Sequence, residues 1–194
     1  RQPKPGIYIL GEGPTEQYYF THLKRLFRYT CTIKPHFFDN QSISDFDKRI
    51  KKEKLLSAKI TVIYVFDKDV SSRNQKENEK LVKIQHKYRN NKGIIFCDSM
   101  PSIEYWFLLH FKETYPNFHH SEQTINELVK FIPDYAKTKD FLEKENWVRD
   151  MSIEKGSIKK AMTRAKKSCS GNGSYSKIYK AFEKLNDTTK PSMQ

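Results

Sequence analysis

Ile60-Thr61-Val62-Ile63-Tyr64-Val65-Phe66, closed by Asp67-Lys68-Asp69, is the most strand-like stretch of the chain. Seven apolar or β-branched residues in unbroken succession suit a central strand buried on both faces, the situation of a parallel sheet covered by helices on either side. Upstream, Ile7-Tyr8-Ile9-Leu10 reads as a second buried strand, broken by Gly11-Glu12-Gly13-Pro14. From Thr15, a suitable N-cap, to about Tyr29, the residues Tyr19, Phe20, Leu23, Leu26 and Phe27 recur at helical spacing. Thr30 to Phe38 reads as a further strand, and Ile43, Phe46, Ile50 and Leu55 mark a helix.

Downstream of the central stretch, Asn74 to Tyr88 is a polar helix with a narrow stripe of Leu81, Ile84 and Tyr88. Gly93 to Cys97 is a short strand, and Pro101 opens a helix carrying Ile103, Trp106, Phe107 and Leu109, expected to be buried. Alternating strands and helices define an α/β fold with a mainly parallel central sheet of about four strands flanked by helices. Beyond Tyr115-Pro116-Asn117 the pattern turns helical: Thr124 to Phe131, Lys139 to Asn146, Ser152 to Ser168 and Ser174 to Leu185. The expected organisation is therefore a catalytic domain over residues 1–115 and a basic helical extension, 116–194, packed on it, with 187–194 a disordered tail.

The chain has 194 residues, and its 36 Lys and Arg against 23 Asp and Glu give a formal charge of +13. A field of that sign favours a phosphate backbone as partner, although lysine-rich composition also serves solubility. Lys155, Lys159, Lys160, Arg164, Lys166 and Lys167 follow one another without an acid after Lys155, which makes them the candidate nucleic-acid contact. Aromatic residues at 13% argue against disorder. No apolar run approaches a membrane span, and the amino terminus lacks a signal-peptide core. Cys31, Cys97 and Cys169 form neither a disulfide framework nor a metal knuckle, so a cytoplasmic protein is expected.

In an open parallel sheet, ligands bind outside the carboxyl ends of the strands. Glu12 falls there after the first strand, Glu16 lies one helical turn further on, and Asp67 and Asp69 end the central strand. If that strand continues, Asp67 and Asp69 share a face. Four neighbouring acids repel, so the grouping is tolerable only with protons or a cation among them, and hard oxygen donors select Mg²⁺ or Mn²⁺. Two plainer readings stand beside this: acids at a helix start are favoured by the helix dipole, and Asp-Lys-Asp suits a solvated turn.

Ile9-Leu10-Gly11-Glu12-Gly13-Pro14-Thr15-Glu16 and Val65-Phe66-Asp67-Lys68-Asp69 resemble the first and the Asp-x-Asp motifs of the Toprim domain of topoisomerases, primases and old-type nucleases. Together with Ser99-Met100-Pro101-Ser102-Ile103-Glu104-Tyr105-Trp106-Phe107-Leu108-Leu109-His110-Phe111, they are similar in order to the RloB-like family of bacterial defence-associated proteins. The resemblance implies a Toprim-like fold, Mg²⁺-dependent phosphodiester chemistry and a role in antiviral defence of the abortive-infection kind. By it, Glu12 is the catalytic acid/base or first metal ligand, Glu16, Asp67 and Asp69 are further ligands, and Glu104 completes the catalytic set. Two departures from the pattern are Gly11, where many relatives carry a larger residue, and Met100-Pro101-Ser102 in place of an Asn-Pro pairing.

The expected activity is cleavage of nucleic acid, RNA such as tRNA or DNA, by a metal-dependent endonuclease. Water activated by one or two Mg²⁺ or Mn²⁺ ions would attack the phosphate, with Lys155 or Lys159 stabilising the developing charge. A larger defence protein, an ATPase or a reverse transcriptase, is an expected partner. The alternatives are a nucleic-acid- or partner-binding subunit without cleavage, and a metal-dependent nucleotidyl transferase. His110 reads as a core histidine, Ser99 and Ser102 as capping residues, and Tyr135, Lys137 and Lys139 as the solvated start of a helix although they could reach a phosphate.

Overall fold

The computed structural model describes residues 6–38, 45–53, 55–56, 59–69 and 75–187. Expectations for the first five residues, for Ile43, for Asn74 and for the tail beyond 187 lie outside the described residues. Five strands form one sheet: β1 (Gly6–Leu10), β2 (Thr32–Ile33), β3 (Ile60–Asp67), β4 (Ile94–Met100) and β5 (Tyr175–Ser176), in spatial order β2-β1-β3-β4-β5. The first three pairings are parallel and the last, β4 with β5, is antiparallel. Nine helices accompany them among the described residues: α1 (Pro14–Phe27), α2 (Phe46–Lys52), α3 (Gln75–Tyr88), α4 (Ile103–Leu109), α5 (Ser121–Leu128), α6 (Lys139–Leu142), α7 (Asn146–Arg149), α8 (Ile158–Ser168) and α9 (Tyr179–Asn186).

The α/β reading of the sequence is met, with β3 in the middle of the sheet and buried from Val62 to Phe66. Side chains two apart share a face of a strand. Tyr64 and Phe96 meet Phe46 at ring-centroid distances of 4.8 and 5.6 Å, so α2 covers the Tyr64 face. On the other side, Phe182 of α9 stacks on Trp106 of α4 at 5.3 Å and lies 6.5 Å from Phe20 of α1. The indole N–H of Trp106 donates to the Tyr19 hydroxyl at 2.6 Å, which satisfies both polar atoms inside the core. All of α4 is buried, no residue more than 1% exposed, as its nearly continuous apolar sequence predicts.

Several boundaries differ from the sequence reading, each for a local reason. The strand expected over Thr30 to Phe38 shrinks to Thr32–Ile33, because Pro35 brings no N–H to a ladder and Pro35–Phe38 closes into a 3-10 turn. Helix α1 starts at Pro14 with Gly13 as N-cap, so Thr15 sits inside the first turn. The stretch from Lys139 to Asn146 divides into α6 and α7. The all-helical carboxyl-terminal pattern is interrupted by a fifth strand: Tyr175 and Ser176 pair with Met100 and Ser99, and the hydroxyls of Ser99 and Ser176 bond at 2.8 Å. His110 is a core residue, its burial pushing the imidazole down to about 3 and keeping it neutral.

The helix expected to run from Ser152 to Ser168 breaks as well. Asp150–Glu154 form a π-helical turn, Gly156 follows, and Ser157 starts α8 afresh by accepting the Lys160 N–H at 3.3 Å. A Cβ at Gly156 would collide with the Met151 carbonyl oxygen and stand 3.1 Å from Cβ of the buried His110. Gly156→Ala is expected to destabilise the protein by about 2 kcal/mol or more, since backbone rather than a flexible side chain must give way. Gly171→Ala, whose Cβ would lie 3.8 Å from its nearest neighbour, serves as the control. Equal urea midpoints for the two variants would refute the expectation.

Candidate carboxylate site at the sheet's switch point

The chain leaves β1 for β2 on one side and reaches β3 on the other, so the order β2-β1-β3 places a topological switch point between β1 and β3. Glu12 and Asp67 flank it. The register sets Leu10 beside Tyr64, and Glu12, in the turn after β1, spans the gap. One of its oxygens accepts the Tyr64 hydroxyl and the other the Asp67 N–H, both at 3.4 Å. Burial raises the Glu12 carboxyl to about 7, against the pull of those two donors. Gly11 is required by the packing here: a Cβ would stand 2.5 Å from the Phe38 ring and 3.1 Å from Cβ of Glu16.

Glu16 is held by the first turn of α1 and is 4% exposed. Burial raises its carboxyl to about 8; its own backbone N–H and Lys137 pull it down, while Glu104 and Glu12 push it further up. Asp67 ends β3, and its Oδ1 accepts the Ile103 N–H at 2.8 Å, satisfying a donor at the start of α4. Burial, then the charges of Glu16 and Glu104, drive the Asp67 carboxyl well above the ordinary carboxylate range.

Glu104, fully buried in α4, is surrounded by donors. Ser102 Oγ donates at 2.5 Å to one oxygen, while the Tyr135 hydroxyl at 2.7 Å and the Lys137 ammonium at 2.9 Å reach the other. Ser102 therefore spends its hydroxyl on Glu104 and makes no side-chain cap. Lys137 leaves 42% of its side chain exposed while its tip points to a carboxylate that is not exposed at all. Burial opposes its charge, but Glu104, Asp67 and Glu16 outweigh that and raise its pKa.

Glu12, Glu16, Asp67 and Glu104 thus occupy one electrostatic neighbourhood with Lys137 in it. Asp69 stands apart. The strand ends at Asp67 and helical geometry begins at Lys68, so the two-residue alternation that would align Asp69 with Asp67 does not continue. Asp69 is 6% exposed, its N–H donates to the Pro101 carbonyl at 3.1 Å, and it is not among the leading influences on Glu12, Glu16 or Asp67.

The basic run lies elsewhere. Arg164 of α8 donates to the Leu109 carbonyl at 2.7 Å, at the end of α4 opposite to Glu104, roughly 7 to 8 Å along the helix. Lys155 pairs with Asp150 at 2.6 Å, Lys166 with Glu183 at 2.5 Å and Lys167 with Glu113 at 2.9 Å. Lys159 and Lys160 are exposed and carry no ion pair among the described residues. A cation that does contact the carboxylates is Lys137, at Glu104, which the sequence reading sets aside with Tyr135. They occupy an irregular segment between α5 and α6, where no periodicity signals burial.

The donor set suits a hard divalent cation in its chemistry: every donor is a carboxylate oxygen, the acids repel one another, and a positive group has already been drawn in. Among the described residues, no three His, Cys, Asp or Glu side chains are arranged to hold a metal ion. Glu12, Glu16 and Asp67 are the residues that could hold one.

Fold and site define an α/β protein with a carboxylate cluster at the switch point of a parallel sheet. A family model described as RloB-like protein matches residues 7–188, and the chain belongs to the RloB-like family. Comparison with curated proteins gave no match, and comparison with solved structures gave none. No helix among the described residues is long and apolar enough to cross a membrane.

Proposed function

We propose that this chain is a Mg²⁺- or Mn²⁺-dependent nuclease with a Toprim-like catalytic framework. It would cleave phosphodiester bonds of RNA or DNA in the cytoplasm during antiviral defence, with a larger defence protein as partner. The observation that carries this reading is the cluster of Glu12, Glu16, Asp67 and Glu104, with three of its carboxyls raised, inside a chain of charge +13. A positive surface gathers a polyanion, while a local acidic pocket repels it unless a cation intervenes.

Glu16 and Asp67, with Glu12, would hold the ion, which when bound supplies Lewis acidity for phosphoryl transfer. Glu12 is half-buried with its carboxyl near 7, so it can hold or release a proton close to neutral pH. Lys137 would meet a phosphate oxygen, the part expected of Lys155 or Lys159. Glu104, Tyr135 and Ser102 position that ammonium.

The test incubates the protein with labelled tRNA, single-stranded RNA and plasmid DNA, each with Mg²⁺, Mn²⁺ or EDTA, beside Asp67→Asn. Metal-dependent cleavage lost in the variant supports the proposal. One observation favours a binding subunit without cleavage: Lys137 already neutralises part of the pocket, and among the described residues no three acids are arranged to hold a metal ion. Salt-sensitive binding that survives EDTA, with no product from any substrate, would decide for that reading.

A further inference from the structure

Among the described residues, β4 is covered on its outer side only near its end. β5 pairs with Ser99 and Met100, the Lys177 N–H donates to the Asp98 carbonyl at 2.8 Å, and the chain then turns into α9. Pairing with β3 fixes the direction of the remaining main-chain groups. The Val62 N–H donates to the Gly93 carbonyl at 2.7 Å, and the register sets Val62 beside Ile94 and Tyr64 beside Phe96. In a parallel ladder, Gly93, Ile95 and Cys97 then bond to β3, while Ile94, Phe96 and Asp98 turn their N–H and C=O outward. The Ile94 N–H is taken by the Asn91 carbonyl at 3.0 Å. The Ile94 carbonyl and both main-chain groups of Phe96 have no partner among the described residues.

This edge forms the floor of a groove of about 920 Å³, walled by the end of α3 and by α9. Ile94, Ile95 and Phe96 are half-buried in it, whereas Cys97 beyond them is sealed. The walls are positive on balance. Lys166 is paired with Glu183 and Lys177 with Asp98, but Arg89 on one wall and Lys180 on the other have no ion pair among the described residues.

We propose that the free edge of β4 is a docking site for an extended, acidic segment of a partner protein. The segment adds a strand in line with β5 and sets carboxylates against Arg89 and Lys180. Alternating donors and acceptors match a peptide backbone, whereas a phosphodiester has only acceptors and would face the carbonyls of Ile94 and Phe96. A second copy of this chain, edge to edge, would bring the positive walls together. Main-chain bonds and charge, rather than deep side-chain pockets, carry the recognition, and it is independent of the nuclease proposal.

The experiment uses the full chain and labelled octapeptides in which Val alternates with Glu, Ser or Lys, followed by fluorescence anisotropy at low salt. The Glu peptide is expected to bind tightest and the Lys peptide weakest. Arg89→Glu/Lys180→Glu, checked for folding by circular dichroism, should lower affinity for the Glu peptide about tenfold. The same reversals at Lys24 and Arg25 on α1 should change it less than about twofold. Methylating alternate backbone amides of the Glu peptide should abolish binding, and the intact peptide should slow amide hydrogen exchange at Phe96. Undiminished binding of the methylated peptide, unchanged exchange at Phe96, or no binding by the Glu peptide overturns the proposal. So does a single-stranded oligonucleotide that protects Phe96 and depends on Arg89 and Lys180.

Discussion

Asp67→Asn is expected to lower nucleic-acid cleavage on the order of a thousandfold, the scale of losing an essential charged group at a reacting phosphate. The same substitution should raise the melting temperature of the metal-free protein at pH 8. The two effects have one origin. Asp67 is crowded by Glu16 and Glu104 and buried besides, so its carboxylate form is disfavoured in the folded state and favoured in the unfolded chain. Asn removes that penalty and keeps an oxygen to accept the Ile103 N–H. Asp67→Ala loses the charge and this hydrogen bond together, so it should be as inactive and about 1 kcal/mol less stable than Asp67→Asn. Thermal denaturation in EDTA and cleavage in Mg²⁺, measured on the same three proteins, separate charge from hydrogen bond. An Asn variant with full activity would remove Asp67 from the catalytic site.

Metal-free protein should lose stability as pH rises from about 5 to 8.5. Glu12 keeps its proton to about 7 and Glu16 to about 8 in the folded state, with burial the leading cause, whereas the unfolded chain gives up both near the ordinary carboxylate value. Between those limits the native state holds more protons than the unfolded one, so the free energy of unfolding falls with pH. The stabilisation is complete below the unfolded pKa and is lost as pH passes through 7 to 8. For Glu16, 4% exposed, this is on the order of 2 to 4 kcal/mol, or about 5 to 10 °C in melting temperature for a chain of this size. Mg²⁺ or Mn²⁺ should reverse the loss, raising the melting temperature more at pH 8 than at pH 5.5, where protons compete for the same oxygens. A melting temperature that climbs between pH 5 and 8 in EDTA would contradict the assigned burial of these acids.

The sequence made the sheet legible through hydrophobic continuity. Seven unbroken apolar or β-branched residues before Asp67 suit a strand covered on both faces, and that is where β3 lies. The proximity of Glu12, Glu16 and Asp67 is legible because strand ends are local signals and the switch-point rule converts them into a place. Asp69 was misaligned because nothing local reveals where a strand gives way to a helical turn. Tyr135 and Lys137 were undervalued for a different reason: they reach Glu104 from an irregular segment, and only tertiary packing makes that contact. β5 was hidden by its length, since two residues carry no periodicity, and its role comes from the edge it meets. The charge of the lysine run is visible in sequence, while the acids that Lys155, Lys166 and Lys167 pair with, Asp150, Glu183 and Glu113, are distributed along the chain and come to them only through the fold.

The fifth strand also gives the fold a timetable. Ser99 waits for Ser176, 77 positions later, and Trp106 waits for Phe182. On a ribosome adding roughly 5 to 20 residues per second, the nascent chain therefore spends about 4 to 15 s with the outer side of β4 and one face of α4 uncovered. During that interval it presents an open strand edge and a tryptophan to its surroundings, the two features that invite association with other nascent chains. In the assembled protein Phe182 covers Trp106 and β5 covers Ser99 and Met100, so loss of α9 should show up as lower soluble yield during synthesis before any effect on the carboxylate pocket could be measured.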